Sequence, residues 1–285
     1  MRESNIHRAN FSFMDRSVTL STHDISVISK LSVLFDLPVE EQGPASYSIA
    51  LHEEAGSLIV HTSHGLHERY ETLSDAVVAL AISIPVMLLP FKTDYVLHGG
   101  AFIAGGKAHL FLGPGHIGKS TLTLEAWLMG YEVLGDDYLL LDLSTTTVQA
   151  VPKPLKLRIP ENALPERLMG FIEPHNYCLG YTRESWTLIL SRGLPHMTPL
   201  NRNVPIGSIH LLARTDDKTS SCCPADKHQF IRSLYQQLVA APQSNLDILR
   251  CFSTMYDEGR VFALHIGENA VATAVAAMVA SASAI

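Results

Sequence analysis

The chain has 285 residues, 47% of them apolar, enough to bury a large core in one or two globular domains. Its net charge is −7 at pH 7 and it carries no lysine or arginine block, which argues against nucleic acid as a principal partner. The four cysteines, Cys178, Cys222, Cys223 and Cys251, lack CxxC spacing, so neither a zinc knuckle nor a disulfide framework is expected, and a reducing cytoplasm is the simplest location.

Residues 1–13 mix charge and polarity without the apolar stretch of a secretory signal. Val18, Thr19 and Leu20 read as a strand, and 23–35 place Ile25, Ile28, Leu31, Leu34 and Phe35 at helical spacing. Segments 47–52 and 57–61 read as a hairpin around Glu54-Ala55-Gly56. His61, His64 and His67 recur at every third position, but with no carboxylate partner on a clear helix the row is expected to be loop rather than a metal site. Thr72, Ser74 and Asp75 offer capping groups to an apolar run that reaches Leu89 and stops at Pro90. That run and the Ala- and Ser-rich segment 270–285 fall short of the ~20 residues of a spanning helix, so no membrane segment is expected.

Strands are predicted over 95–104 and 108–112, joined by Gly105-Gly106, a pair that reaches positive φ at little cost. A helix over 119–129 follows, with Leu122, Ala126 and Met129 on one face and Gly130 as its C-terminal cap. Short strands at 132–135, 138–143 and 147–151 precede a segment broken by prolines at 152, 154, 160, 165 and 174. Beyond it come a strand at 208–213, helices at 227–240, 245–256 and 269–282, and a strand at 261–265. The expectation is an α/β chain with a small N-terminal α/β region, 1–92, and a second domain, 93–285.

The segment 113–121, GPGHIGKST, fits G-x-x-x-x-G-K-[ST] and stands between a predicted strand and a predicted helix, the context this phosphate-binding loop requires. Backbone N–H groups of Gly113, Gly115, His116, Ile117 and Gly118, with the positive end of the helix, suit triphosphate oxygens. Lys119 adds charge over the β and γ phosphates, and Ser120 and Thr121 complete the motif, Ser120 with a hydroxyl for Mg²⁺. The cofactors expected are therefore ATP and Mg²⁺. His116 stands where glycine would be more comfortable, and reads better as a steric passenger than as a phosphate contact.

A phosphate loop alone names no reaction. Asp136-Asp137, after the short strand, are costly neighbours unless a metal or substrate offsets them. Alone they read equally well as a turn. The series His98-Gly99-Gly100, then GPGHIGKST, then Gly130 to Asp137 resembles the core of HPr kinase/phosphorylase, with His98 standing 21 positions before Lys119 and Asp137 standing 18 after it. The resemblance covers 95–142 most specifically. Residues 205–212, PIGSIHLL, look like a strand of the divergent members found in peptide-modification clusters, including kinases of lasso-peptide precursors.

The resemblance implies a mixed-sheet P-loop core like that of HPr kinase and the C-terminal part of phosphoenolpyruvate carboxykinase. It implies a kinase that transfers the γ-phosphoryl group of ATP to a serine hydroxyl of a peptide or small protein. Asp137 would accept the hydroxyl proton and Asp136 would contact metal or water, although these two roles are exchangeable. His98 would be catalytic or orienting, and Arg158 would help Lys119 and Mg²⁺ hold phosphate charge. Self-association is expected from the family.

Three departures qualify it. Gly115-His116 replace the family's usual Ser-Gly. Leu155-Lys156-Leu157-Arg158 carries lysine where the sugar-metabolism enzyme has a metal-binding glutamate, so one ligand is missing or relocated. The loop for the reverse, phosphorolytic reaction is not identifiable, so phosphorylase activity is not expected. Lys153 and Arg158 read equally as phosphate or acidic-peptide contacts and as solvated surface charge. A nucleotide-binding regulatory module without transfer activity and a kinase of a small hydroxylated metabolite remain the alternative readings.

Overall fold

The computed structural model describes residues 6–40, 45–63, 65, 67–90, 94–182, 185–240, 245–268 and 270–283. His64 and the expected boundary at 92/93 lie outside them. Numbered in chain order, the first elements are β1 (His7–Phe13), β2 (Arg16–Thr22), α1 (Ile25–Phe35), β3 (Tyr47–Glu54), β4 (Ser57–Thr62), β5 (His67–Tyr70) and α2 (Leu73–Met87). Next come β6 (Tyr95–Leu97), β7 (Gly100–Ala104), β8 (Lys107–Leu112), α3 (Lys119–Leu128), β9 (Glu132–Gly135), β10 (Leu139–Asp142) and β11 (Thr147–Ala150). β12 (Leu155–Ile159), β13 (Tyr177–Thr182) and β14 (Ser185–Leu190) follow. The chain closes with β15 (Asn203–Arg214), β16 (Ser221–Pro224), α4 (Lys227–Gln237), β17 (Leu238–Ala240), α5 (Asn245–Asp257), β18 (Val261–Ile266) and α6 (Val271–Ser283). It is a mixed α/β protein, and among the described residues no helix is long and apolar enough to cross a membrane.

Two compact units form, residues 1–90 with 152–195, and residues 91–151 with 196–285. The contiguous division at 92 is corrected in one respect: residues 152–195 belong with the first unit, because β13 and β14 pack against α2. Proline spacing in that segment hid a three-stranded antiparallel sheet, β12-β14-β13.

In the first unit, β1 to β5 form one sheet in sequence order, antiparallel except where β2 and β3 run parallel across the α1 crossover. Asp24 caps α1, and Thr72 caps α2 by accepting the Asp75 N–H at 3.2 Å. The β3–β4 hairpin turns at Ala55 and Gly56, both at positive φ. His61 and His67 are cross-strand partners on β4 and β5, with ring centroids 6.0 Å apart, so the predicted loop is a strand pair.

In the second unit, parallel pairing of β8 with β15 and of β15 with β18 forms the centre of a ten-stranded sheet. Period-2 alternation sends Leu110 and Leu112 of β8 and Ile209 and Leu211 of β15 into one buried cluster with Phe230 and Leu234 of α4 and Ile248 and Phe252 of α5. Each such side chain contributes roughly 1.5–3 kcal/mol, so burial rather than helix propensity holds α4 and α5 on this face. α3 packs on β7 and β9, and α6 packs on α3, β16 and β18.

Two predicted elements divide in the structure. The strand over 95–104 breaks at His98-Gly99 into β6 and β7, and the helix over 227–240 ends at Gln237, where β17 begins and pairs with β6. At Gly100 a Cβ would run into the Phe111 ring, so glycine lets β7 approach β8 this closely.

Candidate functional site

The strand directions assemble the site. β7 runs antiparallel to both β8 and β9, so β8 and β9 point the same way and finish at the same sheet edge. Gly100, where β7 starts, pairs with Phe111 near the end of β8, and Ala101 pairs with Gly135 at the end of β9. His98, the loop from Gly113 and the acids after Gly135 therefore meet at one edge, the edge where open α/β sheets present ligand sites.

The loop runs from the end of β8 to the start of α3, as the motif requires. His116 sits at φ 64 and Gly118, the N-cap of α3, at φ 113. Gly118 has no side chain to cap the helix, which leaves the first-turn N–H groups of α3 to the loop side. Gly115 and His116 are exposed, Ile117 and Gly118 half-buried, and Ser120 and Thr121 half-buried in the first turn.

Lys119 is 6% exposed, and its Nζ donates to the carbonyls of Gly113 at 2.8 Å and Pro114 at 3.1 Å. Burial lowers its pKa below the ordinary lysine value, opposed by the negative charges of Asp137 and Asp136. The lysine and both acids are thus within electrostatic reach of one another. Asp136 is 2% exposed. Asp137 is half-buried, its Oδ1 lies 3.7 Å from His98 Nε2, and its carbonyl accepts the Gly99 N–H at 3.2 Å.

Of the residues expected from sequence, the second unit brings together His98, Gly113, Gly115, His116, Ile117, Gly118, Lys119, Ser120, Thr121, Asp136 and Asp137. Arg158 stands exposed on β12 in the first unit, and Lys153, which read equally as a contact and as surface charge, is buried.

Two residues escaped the sequence reading. Arg214 ends β15, whose pairing with β8 carries it to the loop: its Nε donates to the Ile117 carbonyl at 3.0 Å. A Cβ on Gly118 would lie 2.6 Å from Arg214 Nη2. Gln237 is 7% exposed, and its main-chain carbonyl accepts the His98 N–H at 2.7 Å. Oriented toward its acceptors, the Gln237 amide nitrogen has three of them for its two hydrogens: His98 Nδ1 (3.0 Å), the His98 carbonyl (3.2 Å) and the Gly113 carbonyl (3.1 Å). The signal for Arg214 was a cation at the end of a recognised strand, whereas Gln237 was hidden inside a predicted helix.

Compared with protein-family models and with curated proteins, the chain matches none of either.

Proposed function

We propose that this chain is an ATP- and Mg²⁺-dependent kinase, acting in the cytoplasm, that transfers the γ-phosphoryl group to a serine hydroxyl of a peptide or small protein. The fold proposed for its second unit is that of the HPr kinase and phosphoenolpyruvate carboxykinase type. One observation carries the reading: a phosphate-loop sequence in its strand-loop-helix context shares a sheet edge with an acid pair that acts electrostatically on the loop's own lysine.

The loop amides and the start of α3 bind the phosphates, and Lys119 leaves the Gly113 and Pro114 carbonyls to lie over the β and γ groups. Asp137 accepts the proton of the serine hydroxyl as its oxygen bonds to the γ phosphorus, while the bond to the bridging oxygen breaks and ADP departs. The oxygen donors Ser120 and Asp136 suit Mg²⁺, which when bound neutralises phosphate charge. Arg214, which already touches the loop, is a further cation of this reading.

The test is purified chain with [γ-³²P]ATP, Mg²⁺ and a panel of serine peptides and hydroxylated metabolites, with products mapped by mass spectrometry. Label on a serine is the expected result. Label on a metabolite alone moves the acceptor class, Mg·ATP binding without transfer favours a regulatory module, and no ATP binding overturns the reading.

Gly118→Ala is expected to weaken binding of a fluorescent ATP analogue at least about tenfold, because an alanine methyl at φ 113 is strained and displaces Arg214. Unchanged affinity would mean that neither the loop conformation nor Arg214 matters for the nucleotide.

A further inference from the structure

A neutral imidazole carries one proton on one of two nitrogens, and the neighbour of the other nitrogen decides which. At His98 that neighbour is an amide. With the Gln237 amide turned so that its nitrogen faces the carbonyls of His98 and Gly113, that nitrogen lies 3.0 Å from His98 Nδ1 and, having only hydrogens to offer, meets a lone pair there. The ring proton of neutral His98 is then on Nε2, the atom that faces Asp137 Oδ1 at 3.7 Å.

We propose that Gln237 is a positioning residue of the site: it holds His98 as the Nε2–H tautomer, so that His98 donates toward Asp137 and leaves the carboxylate as the only proton acceptor of the pair. This rests on the kinase reading of the same site. It decides between the two roles open to His98, in favour of orienting Asp137.

The same amide ties this pair to the phosphate loop. Gly113 O accepts from Lys119 Nζ at 2.8 Å and lies 3.1 Å from the Gln237 nitrogen. When phosphates draw Lys119 away, Gln237 still satisfies the Gly113 carbonyl, so the loop keeps its position relative to His98 and Asp137. Gln237 is held for this task from two sides, by the α4 turn that precedes it and by the bond from His98 N–H to its main-chain carbonyl.

The test is ¹⁵N NMR of the imidazole nitrogens in the full chain, with the His98 signals assigned by their loss in His98→Gln. The wild type is expected to show a protonated Nε2 and a bare Nδ1. A proton on Nδ1 overturns the proposal without any variant. In Gln237→Glu the carboxylate accepts rather than donates, so the proton is expected on Nδ1, and phosphoryl transfer falls about 10- to 100-fold. An unmoved tautomer in this variant also overturns the proposal. Gln237→Met, which neither donates nor accepts strongly, is expected to show both tautomers, and a pure Nε2–H form in it counts against Gln237. Because the spectra need no turnover, the expected tautomers with no labelled acceptor would sink the kinase reading alone.

Discussion

Asp137→Asn is expected to lower single-turnover phosphoryl transfer by about 10²–10⁴-fold, the usual worth of a positioned acid or base, while Mg·ATP still binds. An amide of the same shape keeps the fold but cannot take the hydroxyl proton. The comparison with Asp136→Asn separates the two acids, whose roles the sequence leaves exchangeable. Loss of a metal contact is expected to raise the Mg²⁺ concentration needed for half-maximal rate, with partial recovery at high Mg²⁺. Asp137→Asn should show no such recovery. Wild-type transfer by Asp137→Asn would remove Asp137 from the mechanism, and recovery of that variant by Mg²⁺ would exchange the roles.

The second large effect concerns stability in acid. His210 on β15 is fully buried, stacks on Phe262 at 5.3 Å between centroids, and shares the Ser208 hydroxyl with His109, each ring nitrogen 2.8 Å from Oγ. Burial first, and the neighbouring His109 second, push the His210 pKa down from 6.5 to about 3. Burial, with a smaller effect of Lys107, also lowers that of His109, against a bond to the Ala104 carbonyl. Between these values the unfolded chain binds a proton that the folded chain refuses. The stability contribution is thus complete above 6.5 and is lost as pH falls toward 3, at about 1.4 kcal/mol per pH unit for one group.

By pH 4.5 the expected loss from His210 is on the order of 3 kcal/mol. Urea unfolding at pH 7 and pH 4.5 measures it, and His210→Gln, which cannot titrate, should flatten the difference by that amount whatever its own cost at pH 7. An equal pH dependence in wild type and variant would show that the folded protein admits the proton.

Much of the second unit was legible because its signals are local. The Gly105-Gly106 turn, the strand before the loop and the helix after it each follow from a few adjacent residues, and both turn glycines adopt positive φ. The errors fall where distant partners decide. Residues 238–240 continue a helical pattern, yet they leave α4 to pair with β6. Residues 95–104 alternate as one strand, yet Gly99 and Gly100 let the chain break where it meets Phe111 and Asp137. β1 lay in a polar N-terminal stretch that becomes a strand only through its antiparallel register with β2.

What the sequence determined alone is the chemistry on offer: a run of residues whose backbone and lysine suit a polyphosphate, two adjacent carboxylates, and a histidine at a fixed distance along the chain. These are properties of side chains and of short-range backbone geometry, which need no partner to be read. Which of them meet was decided by strand order. Antiparallel pairing of β7 with both β8 and β9 brings three separated segments to one edge, the end of β15 adds Arg214, and the break after α4 adds Gln237. Strand pairing is a contest among distant backbone edges settled by burial of whole faces, and no single segment records its outcome.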